Sequence, residues 1–182
     1  NFTTVTIQPG NGSEPVDTEI PVFSASSAGI FSFYAVGHPE LNGQLVVLPL
    51  DWSSYVPVQL ERSFVLLSIP DFAGDGYDKF LPETFVVNEG DSVSLVIRNV
   101  DTMAHGFAMP AYGIEVAVNP AQELAIGTLT PSTTQVPAFT ASSPGIFRFL
   151  CTVPCGPGHE EMVGTMVVLP KAGRGYTPDA IT

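Results

Sequence analysis

The stretch GIFRFLCTVPCGPGHEEMVGTMVV (residues 145–168) reads as strand, loop, strand. GIFRFLC (145–151) and GTMVVLP (164–170) are short runs rich in Val, Phe and Ile, bounded by Gly and Pro, which is the pattern of half-buried β-strands. Between them Cys151, Cys155, His159 and Met162 are spaced Cys-x3-Cys-x3-His-x2-Met, and the chain has no other cysteine. Soft sulfur combined with imidazole is the donor set that selects copper. Zinc competes, but structural zinc sites use Cys and His and make little use of thioether. A Cys151–Cys155 disulfide is the other reading, natural for an exported protein. So short a loop strains such a bond, and the disulfide leaves His159 and Met162 without a role. The spacing therefore favours metal.

Strand signals continue outward from this stretch. SFVLLSI (63–69), TFVVNEGDSVSLVIRNV (84–100, with NEGD at 88–91 as a tight turn) and QELAIGTLTP (122–131) are the clearest. No long segment carries a helical period, and 17 prolines and 17 glycines punctuate the runs. The expectation is an all-β Greek-key sandwich or barrel. A length of 182 residues at 45% hydrophobic content supports one sizeable core with an appendage.

Eighteen acidic against six basic residues give a formal charge of −12, although only 13% of residues are charged. This balance argues against nucleic acid and anionic membrane as partners, and for a basic protein or a cationic solute. Sparse charge also suits an exterior face bathed in acid, where carboxylates protonate. No run of about 18 apolar residues is present, and the N-terminus carries no signal-type core. A membrane connection would therefore run through a segment absent from this sequence. NFT at Asn1 and NGS at Asn11 match the glycosylation sequon, a pattern too short to carry weight.

An internal repeat organises the chain. VFSASSAGIFSF (22–33) matches AFTASSPGIFRF (138–149) at eight of twelve positions, and GQLVVLP (43–49) matches GTMVVLP (164–170) at five of seven. Between the matched strands the first copy has only YAVGHPELN. Cys151 there corresponds to Ala35, Cys155 falls in the deletion, His38 keeps the place of His159 and Leu41 that of Met162. The first copy is expected to be the second half of the same fold without its metal chemistry. The expected organisation is a partial repeat over 1–60, the metal domain over 61–170 and a tail over 171–182. The partial repeat would add strands or pair with another chain, because an open sheet edge is a liability.

A second imidazole comes from NVDTMAHGFAMPAYGI (99–114), where His105 closes a predicted strand beside Gly106. A lone histidine is more often a buried, backbone-bonded residue, but this one joins a copper-type loop. Together DTMAHGFAMPAYGIEVAVNP and GIFRFLCTVPCGPGHEEMVGTMVV resemble the CuA domain of cytochrome c oxidase subunit II, a cupredoxin also found in nitrous oxide reductase; the similarity covers about residues 62–170. The resemblance implies two copper ions bridged by the thiolates of Cys151 and Cys155. One ion would add His105 and Met162, the other His159 and the backbone carbonyl of Val153. Oxidase subunits often carry a carboxamide or carboxylate residue where Val153 stands, a mild departure since only the carbonyl ligates.

The resemblance further implies electron transfer, with no catalytic turnover by this chain alone. The expected setting is the exterior domain of a membrane-anchored terminal oxidase subunit on the outer face of the cell membrane. A cytochrome c or small blue copper protein would donate electrons, and a haem in a membrane-embedded oxidase subunit would accept them. The alternative is a free exported CuA carrier or a copper-handling protein. Nitrous oxide reduction itself would need a catalytic propeller and more than the three histidines present. Among lesser candidates, Met103 and Met109 are read as core filling rather than a docking rim. Trp52 is read as a packing anchor rather than a point of electron arrival. Glu160 and Glu161 are read as solvated or as a greeting for a basic donor. Pro154, Gly156, Pro157 and Gly158 would hold the loop in one conformation.

Overall fold

The computed structural model describes residues 23–51, 53, 56–71, 76–125 and 128–171. Trp52 and the tail beyond Lys171 lie outside the described residues, as does the start of the partial repeat. In chain order the strands are β1 (Gly29–Ala35), β2 (His38–Val47), β3 (Glu61–Ile69), β4 (Lys79–Leu81) and β5 (Thr84–Asn88). Then come β6 (Ser92–Asn99), β7 (His105–Met109), β8 (Ile114–Val118), β9 (Gln122–Ala125) and β10 (Thr128–Thr130). The last are β11 (Ser132–Gln135), β12 (Phe139–Thr140), β13 (Gly145–Leu150) and β14 (Val163–Leu169).

Two five-stranded sheets make the sandwich. One runs β11-β6-β3-β4, with β12 also on β6, and the other runs β5-β14-β13-β7-β8. The chain changes sheet between β4 and β5, between β5 and β6, between β6 and β7, between β8 and β11 and between β12 and β13, which gives the all-β Greek-key sandwich that the strand pattern predicts. NEGD is a tight turn as expected, with Gly90 at φ 94°, and it delivers the chain from one sheet to the other instead of closing a hairpin within one. QELAIGTLTP, read as a single strand, instead folds back as the short pair β9 and β10.

Alternation along the strands places the core. β6 buries Val93, Leu95, Ile97 and Asn99 and turns the residues between them away. Phe85, Phe107 and Phe149 of one sheet meet Phe64 and Phe80 of the other, with ring centroids 5.8 Å apart for Phe80–Phe149 and 5.7 Å for Phe80–Phe107. β7 is buried along its whole length, which puts its first residue, His105, inside the protein.

The two copies of the repeat fold alike. In β1–β2, Phe31 faces Leu45 and Phe33 faces Gly43; in β13–β14, Phe147 faces Met166 and Phe149 faces Gly164, the same register at matched positions. The first copy adds its strands as a separate two-stranded sheet. It joins the sandwich through the Gln44 amide, which donates to Val86 O at 2.8 Å and accepts from Val86 N–H at 2.6 Å. β5 is a sheet edge, so this side chain occupies backbone groups that would otherwise be open for pairing. Gln44→Val removes both hydrogen bonds, each worth about 1 kcal/mol net. Urea denaturation should report a loss of about 1–3 kcal/mol; an unchanged midpoint would show that the edge does not depend on Gln44.

Candidate metal centre

The expected site residues converge at one end of the second sheet. Cys151 follows the last residue of β13, Met162 precedes the first of β14, and Cys151 N–H donates to Met162 O at 3.0 Å, so the ladder itself closes the base of the loop. His105 opens β7, the neighbour of β13, instead of closing a strand as the sequence suggested, because β6 already ends at Asn99. His159 starts a single 3-10 turn, His159–Glu161, preceded by Gly158 at φ 72°. A Cβ on Gly158 would lie 2.6 Å from Gly76 O and inside contact distance of Tyr77, so the close approach as well as the left-handed φ calls for glycine.

The two sulfurs stand 3.9 Å apart. A disulfide needs about 2.05 Å, and both cysteines are free. A shared ion at the usual reach of a thiolate, about 2.3 Å, spans such a gap. Each sulfur has its own imidazole: Cys151 Sγ lies 3.9 Å from His105 Nδ1 and Cys155 Sγ lies 3.4 Å from His159 Nδ1. Val153 O is 3.3 Å from Cys151 Sγ and Met162 Sδ is 4.0 Å from Cys155 Sγ. All six expected ligand residues are thus brought together, with soft sulfur and imidazole donors suited to copper. Cys151, Cys155, Met162 and His105 are buried, His159 is half-buried, and Glu160 and Glu161 beside it are exposed.

Burial and hydrogen bonding set the charge of the pair. Burial raises the Cys151 thiol, but hydrogen bonds from His105, from the Gly106 N–H at 3.4 Å and from neighbouring groups outweigh it and lower the pKa to about 7. Cys155 is pushed up to about 12, first by burial and then by the negative charge on Cys151. Burial lowers the His105 imidazole, yet Cys151 and then Asp101 reverse this and leave it above its ordinary value. In the metal-free pair Cys151 is therefore the thiol that ionises first while Cys155 keeps its proton, and a bound cation would displace that proton.

Asp101 was not singled out in the sequence. Its Oδ2 lies 3.1 Å from His105 Nε2, on the far side of the ring from the sulfur. The carboxylate is held in turn by the Met103 N–H, and the turn carrying it by Asn99, whose side chain accepts from Asp101 N–H and donates to Met103 O and Asn119 O. Such a carboxylate fixes the ring's tautomer and leaves Nδ1 free to face the sulfurs. Asp78 comes close as well: it contacts the Cys155 thiol, and its carboxylate lies within 4.8 Å of ligand atoms of Asp101 and His105. The available signal was an acidic residue a few positions before a ligating histidine. Met109 is core, as expected, whereas Met103 is exposed because it sits on the turn between β6 and β7, outside the sandwich. His38 lies on β2, in the separate hairpin.

Beside the loop a groove of about 540 Å³ opens, lined by Ile146, Phe147, Arg148, Leu150, His159 and Glu160 among others. It touches both Cys151 and His159. Among the described residues no helix is long and apolar enough to cross a membrane.

No protein-family model matches the chain. Nitrous-oxide reductase of Ralstonia nicotianae is 39% identical over 87 residues, 46% of this chain and 12% of that protein. Cytochrome c oxidase subunit 2 of Thermus thermophilus is 30% identical over 89 residues, 49% of this chain and 57% of that protein. The chain is thus homologous to both over about half its own length, and spans only part of each. Among solved structures, the periplasmic domain of subunit II of cytochrome oxidase from Bradyrhizobium japonicum is similar at a TM-score of 0.40 and 21% identity, over 64% of this chain and 88% of that one.

Proposed function

We propose that residues 61–170 form an electron-transfer domain holding two copper ions between the thiolates of Cys151 and Cys155. His105 and Met162 would complete one ion's ligands, and His159 with the Val153 carbonyl the other's. The observation that carries this reading is the pair of thiols 3.9 Å apart, each with its own imidazole. A mononuclear blue site uses one thiolate with two imidazoles and would leave the second thiol idle. Copper held by Cys151 and Cys155 would supply one-electron transfer, with a small change in bonding between oxidation states if the charge is shared. The protein supplies the rest: Asp101 locks the His105 ring, the Gly106 N–H donates to Cys151 Sγ, and the Phe107 and Phe149 rings contribute to a water-free core behind the loop. Water excluded from that side has no reorganisation to undergo when charge moves.

The chain has three histidines, of which two lie in this cluster. That supports a relay of electrons over catalysis by this chain itself. We place the domain outside the cytoplasm, in a terminal oxidase subunit II, receiving electrons from a cytochrome c or small copper protein and passing them to a haem in a membrane-embedded subunit. The half-buried His159, at the edge of the apolar groove and next to exposed Glu160 and Glu161, is the side from which a basic donor would approach. A free exported carrier with the same centre would show identical copper chemistry and fail to co-purify with a haem subunit.

Met162 and His159 separate the ligand roles. A thioether tunes a copper site more than it builds it. Met162→Leu conserves volume in the core, so it should keep two coppers and shift the potential. His159→Ala should lower copper affinity by about tenfold or more, the scale of a lost ligand or its support. Copper analysis with potentiometry checks both, and equal copper loss in the two variants would contradict these roles.

A further inference from the structure

A second carboxylate reaches the metal centre from the first sheet, and the strand register explains how. β3 pairs antiparallel with β4 as Ile69↔Lys79 and parallel with β6 as Ser68↔Asn99. Continuing both registers past the ends of the ladders puts Asp78 and Asp101 on either side of Pro70. The two aspartates therefore leave their strands at the same end of the sheet. A carboxylate oxygen of Asp78, one of Asp101 and a ring nitrogen of His105 lie within 4.8 Å of one another, and a His105 nitrogen lies within the same distance of both sulfurs. The segment carrying Asp78 also rests on the metal loop. A Cβ built on Gly158 would lie 2.6 Å from Gly76 O and 3.2 Å from Tyr77 Cα. Asp71 ties the segment from its other end, because its carboxylate accepts from Gly76 N–H at 2.9 Å and its own N–H donates to Asp78 Oδ1 at 3.2 Å. The Asp71 N–H is a neutral donor, so it orients the Asp78 carboxylate without adding positive charge.

Asp101 already has its task, since its oxygen lies 3.1 Å from His105 Nε2 and holds the ring. Asp78 stands differently. Its carboxylate contacts the Cys155 thiol, and it is half-buried among a buried histidine and two buried cysteines. Solvent and salt screen a charge in such a place poorly, so it acts on its neighbours more strongly than it would in water. We propose that the Asp78 carboxylate sets the reduction potential of the metal centre, as a fixed negative charge beside Cys155 and His105 that favours the oxidised form. The inference rests on the copper reading above. Uptake of one electron makes the centre less positive by one charge, and a neighbouring carboxylate opposes that change. The potential is therefore lower with Asp78 in place than without it.

Potentiometric titration of the copper-loaded chain and three variants tests this. Asp78→Asn keeps the side chain's shape and an acceptor for the Asp71 N–H while removing the charge. It should load copper as the parent does and favour the reduced form by at least about tenfold against a fixed reference couple, which is about 59 mV for one electron. Asp78→Glu keeps the charge and should stay close to the parent. Glu115→Gln, at an exposed position on β8, makes the same change in net charge as Asp78→Asn. It should leave the potential where it is, because solvent and salt screen a charge there. A parental potential in Asp78→Asn would overturn the proposal, as would an equal shift in Asp78→Glu or in Glu115→Gln. Loss of copper from Asp78→Asn would overturn it too, by making Asp78 a support for binding instead of a determinant of potential. A parent chain that binds no copper would overturn the copper reading and this inference together, an outcome distinct from the others because it appears before any variant is compared.

Discussion

Cys151→Ser and Cys155→Ser are each expected to abolish the proposed two-ion binding while leaving the sandwich folded. Either substitution replaces one sulfur of a pair 3.9 Å apart by a hard hydroxyl that does not bridge soft metal. The surviving thiol differs between the variants. In Cys155→Ser, Cys151 keeps the hydrogen bonds from His105 and the Gly106 N–H that lower its pKa to about 7, so a single copper with a blue-type spectrum is expected at neutral pH. In Cys151→Ser, Cys155 loses the neighbouring negative charge that helps to push it up to about 12, and burial remains to oppose ionisation. That variant should bind copper more weakly than the other. Copper content after dialysis, with optical and paramagnetic resonance spectra, gives the comparison. Two coppers retained in either variant would mean the thiols do not bridge. Near-native circular dichroism in both keeps the result apart from misfolding, since the aromatic core is formed by other residues.

Gly106→Ala is expected to have the second-largest effect, although Gly106 ligates nothing in the proposed centre. A Cβ there would land on Thr152 Oγ1 and lie 3.0 Å from Thr152 N and 3.1 Å from Val153 N. The colliding atoms include the backbone of the metal loop, which cannot swing aside as a flexible side chain can. Relief requires β7 and the loop to separate, and separation moves His105 and the Gly106 N–H away from Cys151 together. Overpacking of this kind costs about 1–3 kcal/mol of stability. Copper affinity should fall by about tenfold or more on top of that, as it does when groups that orient metal ligands are disturbed. Denaturation curves and competitive copper titration measure the two separately. A variant with parental affinity would show that the loop holds its shape without the close approach of β7.

What could be read from the sequence was whatever a local pattern encodes. Alternating Val, Phe and Ile between Gly and Pro marked the strands, and the spacing of Cys151, Cys155, His159 and Met162 marked a loop able to aim four donors at one point. His105 was found because its strand and glycine stood out. Three features escaped because they depend on distance in space. Asp101 is one carboxylate among eighteen acidic residues until the turn after β6 folds it under His105. Asp78 comes from yet another loop to the Cys155 thiol. The turn at NEGD looks the same whether it closes a hairpin or crosses between sheets, since Gly90 at positive φ serves both; the parallel pairing of β3 with β6 and of β5 with β14 decides it. The repeat was plain in sequence, including its register, yet nothing in it tells which face of the hairpin would meet the sandwich. That was decided by a side chain outside the repeat's shared positions: Gln44, where the second copy has Thr165, reaches the open edge at Val86.

Quantitative copper analysis together with paramagnetic resonance of the oxidised protein decides whether the centre is a shared, two-ion site. The expected result is two coppers per chain and one unpaired electron whose hyperfine structure shows equal coupling to both nuclei. One copper per chain, with the spin confined to a single nucleus as in a mononuclear blue site, would contradict it.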